Sequence, residues 1–112
     1  GDFIHSEINK LLERYQIQAQ GEIKILDQYH FGGYAKHKPE LLDFLIEFHE
    51  QTGIPLDPVY TGKMMFGLLD QVKRDAFVQG SHIVAMHTGG LQGIMGFNER
   101  FGTQLSYTSL SR

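Results

Sequence analysis

The sequence contains no cysteine and no long apolar run, and each absence excludes a class of protein. Without cysteine there is neither a disulfide scaffold nor a thiolate metal site. Without about 20 consecutive apolar residues there is no transmembrane helix. The net charge is −3 and the isoelectric point is about 6.0, which excludes a basic platform for nucleic acid. We therefore expect neither nucleic acids nor membranes as partners.

The sequence does contain enough apolar residues for a core, together with many glycines. Hydrophobic residues make up 41% of the 112 residues, which excludes disorder at this low net charge and fits one small domain. Glycine occupies 13 positions, against a typical share of roughly 7%. A glycine permits either close packing or the approach of a ligand to the backbone, so the glycine positions are candidates for both.

Hydrophobic periodicity predicts an alternation of helices and strands. Apolar residues at helical spacing predict helices over 2–19, 39–52, 61–75 and 91–100, and short apolar or alternating runs predict strands over 22–29 and 82–87. Strands separated by helices indicate an α/β fold, so we expect a three-layer αβα arrangement with a short, mostly parallel sheet. Two strands make a poor sheet by themselves. The polar residues of about 101–112 predict a loose tail.

Several catalytic motifs fail on spacing. Thr61-Gly62-Lys63 resembles the end of a P-loop, but Asp57 and Met64 stand where that motif needs Gly and Ser or Thr. His82 and His87 are five residues apart on a predicted strand, so they face opposite sides. No ligand spacing typical of a metal site remains, and we expect no metal.

Two segments remain as candidate sites. In the first, residues 56–63, a turn leads into a helix with Tyr60 and Thr61 at its entry. One interpretation is an N-cap, in which Thr61 accepts a hydrogen bond from a backbone N–H of the first turn and Tyr60 packs. The other is a binding site that uses the aromatic ring and the hydroxyl.

The second segment is His87-Thr88-Gly89-Gly90, where an apolar strand runs into a glycine turn before a helix. Ligands of open α/β sheets bind at the carboxyl ends of strands, and free N–H groups at a helix start favour an anion. The alternative is that Gly89, Gly93 and Gly96 permit close packing of the helix on the sheet. Gly32-Gly33-Tyr34 is a weaker third candidate, a loop whose tyrosine could reach a site.

Together these segments resemble the C-terminal part of the 1-aminocyclopropane-1-carboxylate deaminase/D-cysteine desulfhydrase family. The resemblance rests on the motifs DPVYTGK and HTGG and on the 29–34 stretch, and it covers roughly residues 22–97. Members are pyridoxal-phosphate enzymes of the tryptophan synthase β-subunit fold type. The resemblance implies pyridoxal phosphate as cofactor, a small amino acid as substrate, a cytoplasmic location and a homodimer. Residues 1–112 are then expected to be a single C-terminal segment of a larger fold-type II catalytic domain.

The resemblance also implies roles for individual residues. Tyr60 corresponds to the tyrosine that stacks near the cofactor ring, Thr61 to the hydroxyl that hydrogen-bonds the pyridine nitrogen, and Thr88 to the residue that lines the substrate side. Tyr34 corresponds to a second active-site tyrosine. The expected assignment is catalytic for Tyr60 and Tyr34, cofactor-binding for Thr61, Tyr60 and Gly62, and substrate-binding for Thr88, Gly89 and Tyr34.

Two positions separate the subfamilies. The ring-opening deaminases have Glu after the tyrosine and Leu in the His-x-Gly-Gly motif, whereas Thr61 and Thr88 stand there in this chain. A neutral hydroxyl at the pyridine nitrogen would leave that nitrogen largely unprotonated, and the weaker electron sink suits β-elimination. We therefore expect a D-cysteine desulfhydrase-like lyase that forms pyruvate, ammonia and sulfide. A 1-aminocyclopropane-1-carboxylate deaminase is the alternative.

The Schiff-base lysine and the phosphate loop of the family have no counterpart in this chain. None of the six lysines lies in a matching context. Lys63 matches a different family lysine and is predicted to lie in the first turn of a helix, with a structural or electrostatic part. The reactive centre is therefore expected in a missing N-terminal part of the same protein. Two other classes stay open, namely a non-catalytic anion- or nucleotide-binding α/β module and a folding unit without activity of its own.

Overall fold

A computed structural model describes residues 2–26, 28–32 and 37–107. In these ranges the elements are α1 (Asp2–Arg14), α2 (Pro39–Thr52), α3 (Thr61–Lys73) and α4 (Ile94–Phe101), and a short 3₁₀ helix (Leu91–Gly93) leads into α4. The predicted helices are confirmed, although α1 ends five residues before the predicted boundary at residue 19. No helix of the described part is long and apolar enough to cross a membrane.

Local chemistry explains where α2 begins and ends. Pro39 occupies the first turn, where its missing N–H costs nothing. Gly53 follows the helix with φ +73°, and its N–H donates to the His49 carbonyl at 2.8 Å. A residue with a Cβ adopts this left-handed conformation only at a cost.

The core forms where α2 meets α3, the turn before α3, and the residues that follow α4. Leu41 and Leu45 of α2 have no exposed surface, and Leu56 of the turn is 1% exposed. The rest of the buried cluster is Phe31, Ile94, Leu105 and Tyr107. Burial of apolar side chains on this scale is the main stabilising contribution to the fold.

Leu105 and Tyr107 lie within the segment expected to be a loose tail, yet each is only 3% exposed. Asn98 of α4 holds this segment in place. Its Nδ2 donates to the Leu105 carbonyl at 2.7 Å, and its Oδ1 accepts from the Leu105 N–H at 3.1 Å and from the Thr103 hydroxyl at 2.8 Å. The prediction of a loose tail missed these hydrogen bonds of Asn98 because the partners lie up to seven residues apart. Residues 108–112 lie outside the described ranges.

Neither predicted strand is a strand in the described residues, because 22–26 and 82–87 have no strand pairing and residues 28 and 29 lie in a turn. In the second segment, Val84 is 91% exposed and Met86 is 73% exposed. A strand exists only when a neighbouring strand pairs with its N–H and C=O groups, and no described segment supplies one. The αβα sheet therefore stays a prediction.

Candidate functional site

The DPVYTGK and HTGG motifs meet at one side chain, the carboxylate of Asp57. A Cβ placed on Gly90 would lie 3.1 Å from Asp57 Oδ1 and from Asp57 Cγ. Gly90 also has φ +90°, as does Gly89. Position 90 thus requires glycine for two reasons, the left-handed backbone conformation and the close approach to the carboxylate. The fold therefore brings the two motifs into one site.

Asp57 is 2% exposed and accepts four hydrogen bonds. Its Oδ2 accepts from the N–H groups of Val59 and Tyr60, both at 2.8 Å. Its Oδ1 accepts from the N–H of Thr61 at 2.8 Å and from the Thr61 hydroxyl at 2.6 Å. The side chain thus caps the start of α3. The sequence interpretation placed the capping oxygen on Thr61, and that interpretation is wrong because the carboxylate four residues earlier accepts these bonds.

The hydrogen bonds also determine the charge of Asp57. Burial by itself would raise the pKa of this carboxyl, but the bonds from the Thr61 hydroxyl and from the N–H groups of Tyr60, Thr61 and Val59 outweigh burial. The pKa of Asp57 therefore lies below its ordinary value. Asp57 is consequently a carboxylate at neutral pH, and it can only accept hydrogen bonds.

Thr61 is equally buried, at 2% exposed, and its hydroxyl is engaged with Asp57 in both directions. It donates to Asp57 Oδ1 and accepts from the Asp57 N–H at 2.9 Å. A hydroxyl has one proton and two lone pairs. The two bonds to Asp57 thus use the proton and one lone pair of Thr61 Oγ1.

Tyr60 stands at the opening of the site, with 58% of its surface exposed. It borders a cleft of about 340 Å³ between the turn before α3 and the glycine-rich start of α4. The cleft is also lined by Gly90, Gln92, Gly96, Phe97 and Arg100. A Cβ on Gly96 would meet nothing within 4 Å, so the absent side chain there leaves open cleft and not a packing contact.

Gly62 has a packing function in this structure. A Cβ at this position would lie 2.5 Å from Leu45 Cδ2 and would clash with the Asp57 carbonyl oxygen. The Gly62 N–H is already bound to that same carbonyl at 2.8 Å. Its expected contact with a cofactor therefore stays a prediction, and the contact of α3 with α2 explains the glycine.

His87 connects the two motifs at a second point. The Gly89 N–H can only donate, so His87 Nδ1 accepts from it at 3.0 Å. The Pro55 carbonyl can only accept, so His87 Nε2 carries the proton and donates at 2.8 Å. Through these two bonds the imidazole ties the 87–90 turn to the 55–57 turn.

The other predicted site residues have different positions. Thr88 is exposed and Gly89 is half-buried in the turn that His87 holds, and neither lines the cleft beside Tyr60. Tyr34 lies outside the described ranges. Lys63 lies in the first turn of α3, as predicted, and its ammonium donates to the His30 carbonyl at 2.7 Å. Burial lowers the pKa of Lys63, and the negative charge of Asp57 acts against this.

Sequence reasoning named Asp57 and His87 within their motifs but assigned neither a role. A signal for Asp57 was present, because an aspartate two to four residues before a helix start commonly binds the following N–H groups. No comparable signal exists for His87, whose partner Pro55 lies 32 residues away. Within the described ranges no three His, Asp or Glu side chains gather as a metal site would require.

Comparison with known proteins adds an independent finding. No family model and no solved structure matches the chain. The chain is 34% identical over 83 residues to D-cysteine desulfhydrase of Klebsiella pneumoniae, which covers 74% of the chain and 25% of that relative. It is 41% identical over 63 residues to the bifunctional D-cysteine desulfhydrase/1-aminocyclopropane-1-carboxylate deaminase, mitochondrial, of Arabidopsis thaliana, covering 55% of the chain and 16% of that relative.

A third relative, from Pyrococcus furiosus, is provisionally named as a 1-aminocyclopropane-1-carboxylate deaminase. It is 35% identical over 109 residues, which covers 89% of the chain and 32% of the relative. The chain thus spans a third or less of the length of these curated relatives.

Proposed function

Because the chain is homologous to part of the 1-aminocyclopropane-1-carboxylate deaminase/D-cysteine desulfhydrase family, we propose that the protein containing it is a pyridoxal-phosphate-dependent lyase of the desulfhydrase type. Its reaction is β-elimination from a small β-substituted amino acid, with D-cysteine as the first candidate. The products are pyruvate, ammonia and sulfide. The observation that carries this proposal is the meeting of both family motifs at Asp57, beside an open cleft.

The residues of this site fit one edge of the cofactor. Tyr60 presents an exposed ring at the cleft, which suits stacking against a flat heteroaromatic ring. The family resemblance assigns Thr61 Oγ1 to the ring nitrogen, but Thr61 is 2% exposed and does not line the cleft beside Tyr60. When bound, pyridoxal phosphate supplies an electron sink for the carbanion at the substrate α-carbon. The residues of this chain contribute the orientation of the ring.

The lysine and the phosphate-binding loop belong, in this proposal, to the remainder of the protein. Lys63 is a poor candidate for the reactive amine because its ammonium donates to the His30 carbonyl and because it does not line the cleft beside Tyr60. Treatment of the intact protein with pyridoxal phosphate and borohydride should label a single lysine outside residues 1–112. A label on a lysine of this chain would contradict the proposal, and anion binding without any label would favour the non-catalytic module.

The same proposal extends to the fold, the location and the assembly. Val84 and Met86 expose apolar surface in a segment outside any helix, which supports a strand that pairs with strands of the remainder in an αβα domain. Slow amide exchange of residues 82–87 in the intact protein would be expected, and rapid exchange would contradict the sheet. A cytoplasmic homodimer follows from the family resemblance.

Substrate comparison tests the reaction. The intact protein should release sulfide from D-cysteine with a higher kcat/KM than it releases ammonia from 1-aminocyclopropane-1-carboxylate. The bifunctional relative favours keeping the second substrate in the assay. Preference for the cyclopropane substrate would select the alternative activity.

Tyr60→Phe keeps the ring and removes the hydroxyl, whereas Tyr60→Leu removes the ring. Loss of cofactor affinity only in the second variant would assign stacking to the ring.

A further inference from the structure

Residues 30–32 form a turn with an unfavourable backbone conformation. Phe31 has φ +54° and Gly32 has φ +98°. The left-handed conformation costs little in glycine but is unfavourable for phenylalanine, so it persists only where the surroundings impose it. The Gly32 N–H donates to His30 Nδ1 at 2.9 Å, which closes the 30–32 turn from within. The conformation of Phe31 therefore depends on the contacts that other segments make with this turn.

Helix α3 supplies such contacts. The Lys63 ammonium, in the first turn of α3, donates to the His30 carbonyl at 2.7 Å. The ring of Phe66 meets the ring of Phe31 edge-on, with the two centroids 5.0 Å apart. Phe31 is 9% exposed and belongs to the buried core. Lys63 thus holds the backbone directly in front of the left-handed residue, while Phe66 packs against its ring.

The residue before the 30–32 turn is held on α3 by different side chains. The Tyr29 hydroxyl donates to Asp70 Oδ2 at 2.6 Å and accepts from Gln71 Nε2 at 2.7 Å. A Cβ on Gly67 would lie 2.8 Å from the Tyr29 ring, so the glycine makes room for that ring. Loss of the Lys63 contact is therefore expected to leave Tyr29 in place and to release only the turn that follows it.

We propose that Lys63 is a positioning residue, which holds the 30–32 turn on the first turn of α3. This inference rests on the proposed function, in which the family resemblance gives catalytic parts to Tyr60 and Tyr34. Tyr60 precedes Lys63 by three residues, and Tyr34 follows His30 by four. One side chain thus joins the segments that carry the two tyrosines and sets the point from which the chain approaches Tyr34.

Amide exchange tests the contact without any activity. Lys63→Met removes the donor and keeps the stem, so we expect the Gly32 amide of the intact protein to exchange faster in K63M. Lys63→Arg keeps a cationic donor and should restore slow exchange. If K63M does not fold, Lys63→Gln, which keeps a shorter donor, takes its place. Unchanged exchange in the folded variant would overturn the inference.

Lys24→Met is the matched control for this experiment. Lys24 and Lys63 both border a groove of about 440 Å³ beside α3, but the Lys24 ammonium pairs with Glu22 at 3.8 Å. This variant removes a positive charge from the same groove without touching the His30 carbonyl. The Gly32 amide should therefore exchange as in the unmodified protein, and an acceleration equal to that of K63M would overturn the inference.

Turnover tests whether the 30–32 turn positions Tyr34. We expect K63M to lower kcat for D-cysteine by about tenfold with little change in cofactor affinity, since misplacement by about 1 Å can cost up to about 100-fold. K63R should recover most of the loss. In a Tyr34→Phe background, K63M should have little further effect on kcat.

The outcomes separate positioning from a structural part. An equal loss of kcat with and without the Tyr34 hydroxyl would mean that Lys63 acts independently of Tyr34, which contradicts the inference. A lower melting temperature of K63M with unchanged kcat would also contradict it. If the unmodified protein released no sulfide from D-cysteine and no ammonia from the cyclopropane substrate, the proposed function would fail, and the exchange of the Gly32 amide would still decide whether Lys63 holds the turn.

Discussion

At the scale of single residues, two side chains organise the site by holding backbone groups in place. Asp57 holds the start of α3, and His87 holds the glycine turn. Both act by hydrogen bonds to backbone groups, which make their geometry independent of side-chain flexibility elsewhere. Tyr60, which borders the cleft, and the buried Thr61 take their positions from this framework.

His87→Ala tests the framework at the glycine turn. The change removes the bonds from the Gly89 N–H and to the Pro55 carbonyl. We expect the free energy of unfolding to fall by about 1 kcal/mol, since these are neutral bonds at an exposed site. The amide of Gly89 should exchange faster with solvent in the intact protein, which mass spectrometry can follow.

His82→Ala is the matched control, because His82 is an exposed histidine of the same segment between α3 and the 3₁₀ helix. This variant should leave the exchange of the Gly89 amide unchanged. Equal acceleration in both variants would show that the segment as a whole, and not the His87 bridge, controls the turn.

At the scale of elements, the junction of α2 with α3 depends on a missing side chain. Leu45 and the Asp57 carbonyl occupy the space where a Cβ of Gly62 would be. Helix propensity by itself would favour alanine at this position by roughly 1 kcal/mol. Packing therefore opposes helix propensity at position 62. The steric conflict is the larger of the two effects, so alanine there should lower the stability of the protein.

Gly62→Ala is expected to destabilise the protein by about 1–3 kcal/mol, because backbone and a buried leucine must move to admit the methyl group. Denaturant unfolding of the intact protein measures this. Gly96→Ala is the control, since Gly96 is also a helical glycine and its Cβ would enter open space. Stability should then rise by up to about 1 kcal/mol. A loss of equal size in both variants would contradict the packing explanation.

At the scale of the whole molecule, Tyr107 links the segment after α4 to the turn before α3. Its hydroxyl donates to the Leu56 carbonyl at 2.6 Å, across 51 residues of sequence. Burial raises the pKa of Tyr107 to about 12, although the hydrogen bond to Leu56 acts to lower it. In the unfolded chain a tyrosine titrates near about 10.

The sign of the pH effect follows from these values. The folded state keeps the Tyr107 proton to higher pH than the unfolded state does, so the stabilising contribution is complete below about pH 10 and is lost as the pH rises towards about 12. Tyr107→Phe should lower stability at neutral pH by about 1 kcal/mol and should flatten the decline between these two pH values. Urea unfolding at a series of pH values measures both. An unaltered alkaline decline in Tyr107→Phe would assign it to other groups.

How much of the structure could be predicted from the sequence depended on how many residues separate the interacting positions along the chain. Helices α2 and α3 were predictable because their apolar spacing, Pro39 and Gly53 act within a few residues of one another. The grouping of Tyr60 with Thr61 was predictable because they are neighbours. The contact of Gly90 with Asp57 was not, because it joins positions 33 residues apart through the packing of the whole chain.

The sequence by itself determined the helices, the family motifs and the residue types at the site, since these depend on composition and short-range order. Only the tertiary structure decided what those residues do. It placed the proton of Thr61 on the side of Asp57, made Gly62 a packing residue, and buried Tyr107 against the turn. The physical reason is that hydrogen-bond direction and steric space belong to the surroundings of a side chain, and distant segments supply those surroundings.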